Sequence, residues 1–229
     1  MEPRAIISYD DTENDRDALM LGRVLAEAGA GLTLAYVRHA TQQRRERELV
    51  EEHETEELLE RGAQLLGDLE LERRVVVSAS TADGLKWLVD QEQADIIVFG
   101  SEYRTAAGHI SPQHSTQALL EGGHAAVAIA PAGYSTTHVP HVRTVGVLAA
   151  PGDDAAIETA RVLADRLGAR VTRDERRIDL LVVGSRSEAP EGRVMITSAA
   201  QNMIENATYP VLVVARGVPI HFGVAATIS

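Results

Sequence analysis

Three groups of residues in this chain are of types and spacings that could carry chemistry. Asp10 and Asp11 follow the short apolar run 5–9, and paired carboxylates there could meet a bound ligand or a metal ion. The same Asp-Asp-Thr sequence also suits a polar turn that starts a helix. Gly100 and Ser101 end the apolar run 94–99. Open α/β sheets hold ligands at such a strand end, although a tight strand-to-helix turn uses the same residues. His109, His114 and His124 lie five and ten residues apart. Protonated imidazoles could meet a phosphate, but this spacing does not place two of them on one helix face as a zinc motif would, and we read them as exposed. Catalytic machinery is not evident. The chain has no cysteine, Ser115-Thr116 lacks the G-x-S-x-G frame of a nucleophile elbow, and no Walker lysine stands beside the 100–101 loop. We therefore expect neither an enzyme nor a metal site.

These residues need elements to position them. Apolar runs at 5–9, 32–37, 75–78, 94–99 and 126–130 predict strands. Helical spacing predicts helices over 15–28, 41–68, 81–93 and 115–121. The long charged helix 41–68 carries a stripe of Leu49, Val50, Leu58, Leu59, Leu65 and Leu66. Its acidic stretch Glu46–Glu60 could attract a basic partner, and we read it as a solvated face. Strands that are continuous apolar runs, alternating with helices, predict an open parallel sheet sandwiched by helices.

The pattern then starts again. Residues 131–141, PAGYSTTHVPH, read as an interdomain linker. Asp95 and the following IIVFGS align with Asp179 and LLVVGS, 84 residues later, and this offset holds to 127–130 against 211–214. Upstream, Arg23-VLA returns as Arg161-VLA at an offset of 138, so 54 residues are missing from the middle of the second copy. The missing part corresponds to the long helix, the third strand and the helix after it. Residues 169–177 lie too close to Leu180 for an ordinary crossover, which predicts a connector or irregular edge and a three-stranded second copy. Such a unit has little core of its own and should lean on the first. The apolar tail 218–229 could add a strand, cover an edge or dangle.

Composition narrows the function classes. Of 229 residues, 45% are hydrophobic and 3% aromatic, with a formal charge of −12. An acidic surface with few stacking platforms argues against nucleic-acid binding. No apolar run reaches the roughly 18 residues of a membrane span, and the start MEPRAIISYDD shows no charged-then-apolar leader. The expectation is a cytoplasmic protein that binds neither nucleic acid nor membrane.

A strand ending in Asp10, a turn and helix, then a strand–Gly–Ser loop, a helix and a final strand ending in Pro131 together resemble the universal stress protein family. The resemblance covers residues 4–134 and, cut down, 142–217. It implies a Rossmann-like domain of the kind called HUP over 1–134, a linker at 135–141 and a reduced copy over 142–229. It also implies antiparallel pairing of the final strands, 126–130 with 211–214, as an intramolecular version of the family's dimer. Homodimerisation and a protein partner at those terminal strands remain open alternatives. ATP-binding members carry G-x2-G-x9-G-[ST] after the fourth strand, an aspartate ending the first strand and an adenine-facing backbone ending the second. Carried across, the site positions are Asp10, Val37, Gly100, Ser101, Tyr103, Gln113, His114 and Ser115. Two of the three glycine positions are occupied by Tyr103 and Gln113, whose side chains should fill the niche where a triphosphate would sit, and the hydroxyl position by His114, with Ser115 next to it. In the second copy Gly184 is followed by Ser187, Thr197 and Ser198, and the counterpart of Asp10 falls among the apolar residues 148–150. The resemblance thus implies a stress-response regulatory or binding protein with degenerate phosphate loops, at most weak nucleotide binding and no required cofactor. Its alternative is an ATP or AMP sensor working through the first copy.

Overall fold

Strand β1 (Arg4–Ser8) is almost wholly apolar, and all but its first residue are buried, as suits the middle of a parallel sheet. A polar turn leads into α1 (Asp15–Glu27), whose first turn carries Asp15 and Asp17, an arrangement that suits the positive end of a helix dipole. Gly29, at φ +100°, ends the helix and turns the chain into β2 (Gly31–His39). The remaining elements are α2 (Arg45–Leu66), β3 (Leu71–Ser78), α3 (Thr81–Glu92), β4 (Ile96–Phe99), α4 (His114–Leu120), β5 (Ala126–Ile129), β6 (Thr144–Leu148), α5 (Ala155–Arg166), β7 (Arg170–Thr172), β8 (Leu180–Gly184), α6 (Ser198–Glu205) and β9 (Val211–Val214). They come from a computed structural model that describes residues 2–39, 45–136, 141–172 and 177–223, with backbone only over 45–52.

All nine strands join one sheet in the order β3-β2-β1-β4-β5-β9-β8-β6-β7. Every neighbouring pair is parallel except β5 with β9, which run antiparallel with Val127 opposite Val213 and Ile129 opposite Val211. From its outer edge inward, the second half reads β7-β6-β8-β9, the counterparts of β2-β1-β4-β5, and among the described residues no element stands in the place of α2, β3 and α3. Helices α1, α2 and α5 cover one face, over Leu25, Leu34, Leu163 and Leu212. Helices α3, α4 and α6 cover the other, over Leu85, Phe99, Leu119 and Ile204. Each apolar cluster draws on both halves, so neither half owns a separate core.

Several expectations change. Residues 170–172, expected in a connector, form β7, which pairs in parallel with β6 at Thr144–Arg170, Val145–Val171 and Gly146–Thr172. The second half therefore has four strands, not three. The crossover that a parallel neighbour needs lies before β7, in α5, rather than between β7 and β8. Residues 173–176 lie outside the described part. Helix α2 packs with Leu59 and Leu66, but Leu65 is 52% exposed and falls off the expected stripe. Where α3 is missing, Ile178 lies against β6. A Cβ on Gly146 would come within 2.6 Å of its Cδ1, so this glycine makes room for the substitute cover.

The segments after β5 and β9 are packed, not free. Tyr134 is buried at the start of a short 3-10 helix, and Asp17 accepts the backbone N–H groups of Gly133 (2.8 Å) and Ser135 (2.6 Å). Linker residues 137–140 lie outside the described part. After β9, Asp153 accepts the N–H of Gly217 (3.2 Å) and Thr159 Oγ1 that of Ile220 (2.9 Å). Ile220 and Phe222 are buried between the helices of the two halves, each stabilising by about 1.5–3 kcal/mol. The tail up to residue 223 is thus a cover, and 224–229 lie outside the description.

Candidate functional site

In the first half the strand order reverses between β1 and β4, which is where a doubly wound sheet opens a crevice at its carboxyl end. The β1–α1 turn and the β4–α4 loop line it. Asp10 leaves β1 with an exposed side chain. Its carboxyl is pushed up to about 6 by loss of hydration and by the nearby Asp15 carboxylate, against a weaker opposing pull from His39. Asp15 is buried and accepts the N–H groups of Asp10 and Thr12, both at 2.9 Å, which fixes the turn. Asp11 points elsewhere. It accepts the Tyr9 hydroxyl (2.7 Å) and pairs with Arg61 of α2 (2.9 Å). Its carboxyl loses some hydration, but these two partners outweigh that and hold it below the usual range. The two aspartates therefore do not act as a pair.

Val37 is buried in β2, and its Cγ1 lies 2.7 Å from where a Cβ on Gly84 of α3 would sit. Beside it β1 stops at Ser8, opposite Ala35, so the end of β2 overhangs the crevice. Gly100 is there for close approach. A Cβ on it would stand 2.1 Å from the carbonyl oxygen of Asn14, in the β1–α1 turn. Asn14 Nδ2 also donates to the carbonyl of Glu102 (2.7 Å), so the turn and the loop touch directly. Ser101 is fully buried. Its hydroxyl donates to the carbonyl of Ala130 (2.9 Å) and accepts the N–H of Ser111 (3.4 Å), tying the loop to the end of β5.

Several of the loop's amides are taken up within the protein. Glu102 N–H goes to Ser111 O, Thr105 N–H to Glu102 O, Gly108 N–H to Ala132 O and His109 N–H to Ala106 O. Arg104 N–H goes to the Glu102 carboxylate at 3.0 Å, so a side-chain anion of this chain already occupies that donor. Tyr103, expected to fill the niche, instead stands 57% exposed with the Arg104 guanidinium 4.9 Å from its ring centre. Gln113 is half-buried and precedes α4 without capping it through its side chain, His114 is exposed in the first turn and Ser115 is buried. His109 and His124 are exposed as well, and His124 lies 3.6 Å from Asp90. Among the described residues no three metal-ligating side chains gather.

The second half repeats most of this loop's bonds at an offset of 84. Ser185 donates to Val214 O (2.7 Å) and accepts from Met195 (3.1 Å). Arg186 N–H goes to Met195 O, Ala189 N–H to Arg186 O, Gly192 N–H to Arg216 O and Arg193 N–H to Pro190 O. The crevice beside it differs. Ala5 stands opposite Ile96 and Val145 opposite Leu180, so counting along the two strands places Ala150 at the position of Asp10. Sequence reasoning missed Asn14, Asp15, Asp17 and Glu102. The acidic pair at 15 and 17 was a readable sign of a helix start, but no pattern marked Asn14 or Glu102 as clamps.

Comparison with known proteins adds the following. The model of the universal stress protein family matches residues 147–215. No curated protein matches the chain. A universal stress protein structure from Archaeoglobus fulgidus is similar over 93% of this chain and 98% of its own, with a TM-score of 0.69 at 15% identity. A structure described as a putative universal stress protein from Pseudomonas aeruginosa is similar over 95% of this chain and 94% of its own, with a TM-score of 0.62 at 13% identity. A universal stress protein solved in complex with cAMP is similar over 43% of this chain and 75% of its own, with a TM-score of 0.35 at 21% identity. No helix among the described residues is long and apolar enough to cross a membrane. Residues 147–215 thus match the model of the universal stress protein family, and the chain as a whole carries the fold that such proteins adopt.

Proposed function

We propose that the chain is a non-catalytic, stress-response binding protein of the cytoplasm whose first half has lost effective nucleotide binding. In this reading residues 1–134 form a full domain, 135–141 a linker and 142–229 a reduced domain, and the halves form a pseudo-dimer within one chain. The observation that carries it is the closed crevice: Gly100 packs on the Asn14 carbonyl, and the amides of Glu102, Arg104, Thr105, Gly108 and His109 are bonded within the protein. A triphosphate needs free N–H groups and room to approach them, and these five amides and the space above Gly100 are already taken. The exposed Asp10 favours the second reading, a weak ATP or AMP sensor, since it could still accept a ribose hydroxyl.

Melting the full chain with and without millimolar ATP–magnesium separates the two. Ligand at about 100 times its dissociation constant adds about 2.7 kcal/mol, which raises Tm by several degrees in a chain of this size. We expect no rise. A saturable rise that Asp10→Ala abolishes would establish the sensor instead.

A further inference from the structure

We propose that a groove between α4 and α6 binds a small organic acid, its carboxylate held by Arg186 and its apolar stem lying on Met195 and Ile196. The groove has a volume of about 380 Å³ and lies across the seam of the two halves. Its walls are copies of one another. Gln117 and Leu120 of α4 face Gln201 and Ile204 of α6, each pair 84 residues apart. Arg186 breaks this symmetry. Its counterpart in the first half is Glu102, whose carboxylate caps a loop amide. The backbone of Arg186 does the same work in its loop as that of Glu102, donating to Met195 O. Its side chain has no such task.

The Arg186 side chain is also left short of partners. Its Nε is buried away from solvent with no acceptor, and Nη2 meets only the sulfur of Met195, at 3.7 Å. A thioether is a weak acceptor, and a guanidinium carries five donors in a fork that fits a carboxylate. Glu121 lines the same groove but makes no ion pair with Arg186. A shielded donor left unmatched on this half-buried guanidinium is costly to keep, and a carboxylate from outside is the group that would match it. The volume is at the small end for ligand pockets. The exposed amides of Gln117 and Gln201 supply further hydrogen bonds, and the half-buried Met195 and Ile196 take an aliphatic stem over the buried Leu120 and Ile204. This site does not depend on the nucleotide reading, since it lies on the α4–α6 face of the sheet and takes only Pro112 from the loop that lines the β1–β4 crevice.

The test is a titration of the ¹⁵N-labelled full chain with hexanoate, hexanol and inorganic phosphate at fixed ionic strength. Hexanoate should shift the amides of Gln117, Met195 and Ile196 saturably, and the other two should not. Arg186→Met should weaken hexanoate at least tenfold, and Arg186→Lys by less. Because Arg186→Met removes an unmatched buried donor, its ligand-free form should melt no lower than the parent, so loss of binding stays readable. The proposal fails if hexanoate gives no saturable shift, if hexanol or phosphate binds as well as hexanoate, or if Arg186→Met binds it unchanged.

Discussion

The loops after β4 and β8 make most of the same hydrogen bonds at positions 84 residues apart, yet they border different surroundings. In the first half the loop meets the Asp10–Asn14 turn, with Gly100 against the Asn14 carbonyl. In the second, the turn carries Ala150, and Gly184 has more room, its nearest neighbour being Ala150 N at 3.1 Å from an added Cβ. Two loops that share a shape while the crevices beside them diverge point to scaffolding as the common requirement. The serine hydroxyl that joins each loop to the last strand of its half meets that requirement in both places.

The largest test of the comparison lies at the seam. Strand β9 is bonded on both sides, antiparallel to β5 and parallel to β8. Val213→Pro removes a donor there, at a cost of about 3 kcal/mol or more. Because both apolar clusters span both halves, we expect the whole chain to lose its single melting transition, not the second half alone. A surviving transition from an intact first half would show that the cores are separable. The glycines give a smaller contrast. Gly100→Ala forces a Cβ onto a backbone oxygen and should cost about 1–3 kcal/mol, whereas Gly184→Ala should stay below about 1 kcal/mol. Urea unfolding of both variants reads the difference, and equal losses would refute the closed crevice.

The smallest effect concerns Asp10 against Ala150. The folded Asp10 titrates near 6, above the ordinary 3.8. The folded chain therefore binds this proton more tightly than the unfolded one. On this account stability falls as pH rises from about 4 to about 6, then levels off. Asp10→Asn should raise Tm slightly at pH 7 and leave it unchanged at pH 4. A variant that melts lower than the parent at pH 7 would mean the carboxylate is stabilising after all.

Much of this architecture was legible in the residues. Eight of the nine described strands were expected, five as apolar runs and three as the reduced copy, and the offset of 84 extended to individual hydrogen bonds. What escaped was what depends on backbone approach. Arg170–Thr172 is short and partly exposed, so no periodicity marked it as a strand. Strand register sets β6 against β1 at an offset of 140, whereas the helix sequences align at 138, so the turn between strand and helix is two residues shorter in the second half. Ser101 carried two meanings that only its bond to Ala130 could separate. Tyr103 was read as filling a niche, but a bulky side chain in a loop that turns outward goes to solvent, and backbone groups fill the space instead.

The antiparallel contact between Val127–Ile129 and Val211–Val213 has one further consequence. Because both partners sit on one polypeptide, dilution does not separate them, and the tether keeps each at a high effective concentration around the other. Related chains cannot compete for that edge while it is closed. The protein's stoichiometry at this contact is thereby written into its length, not into how much of it a cell makes.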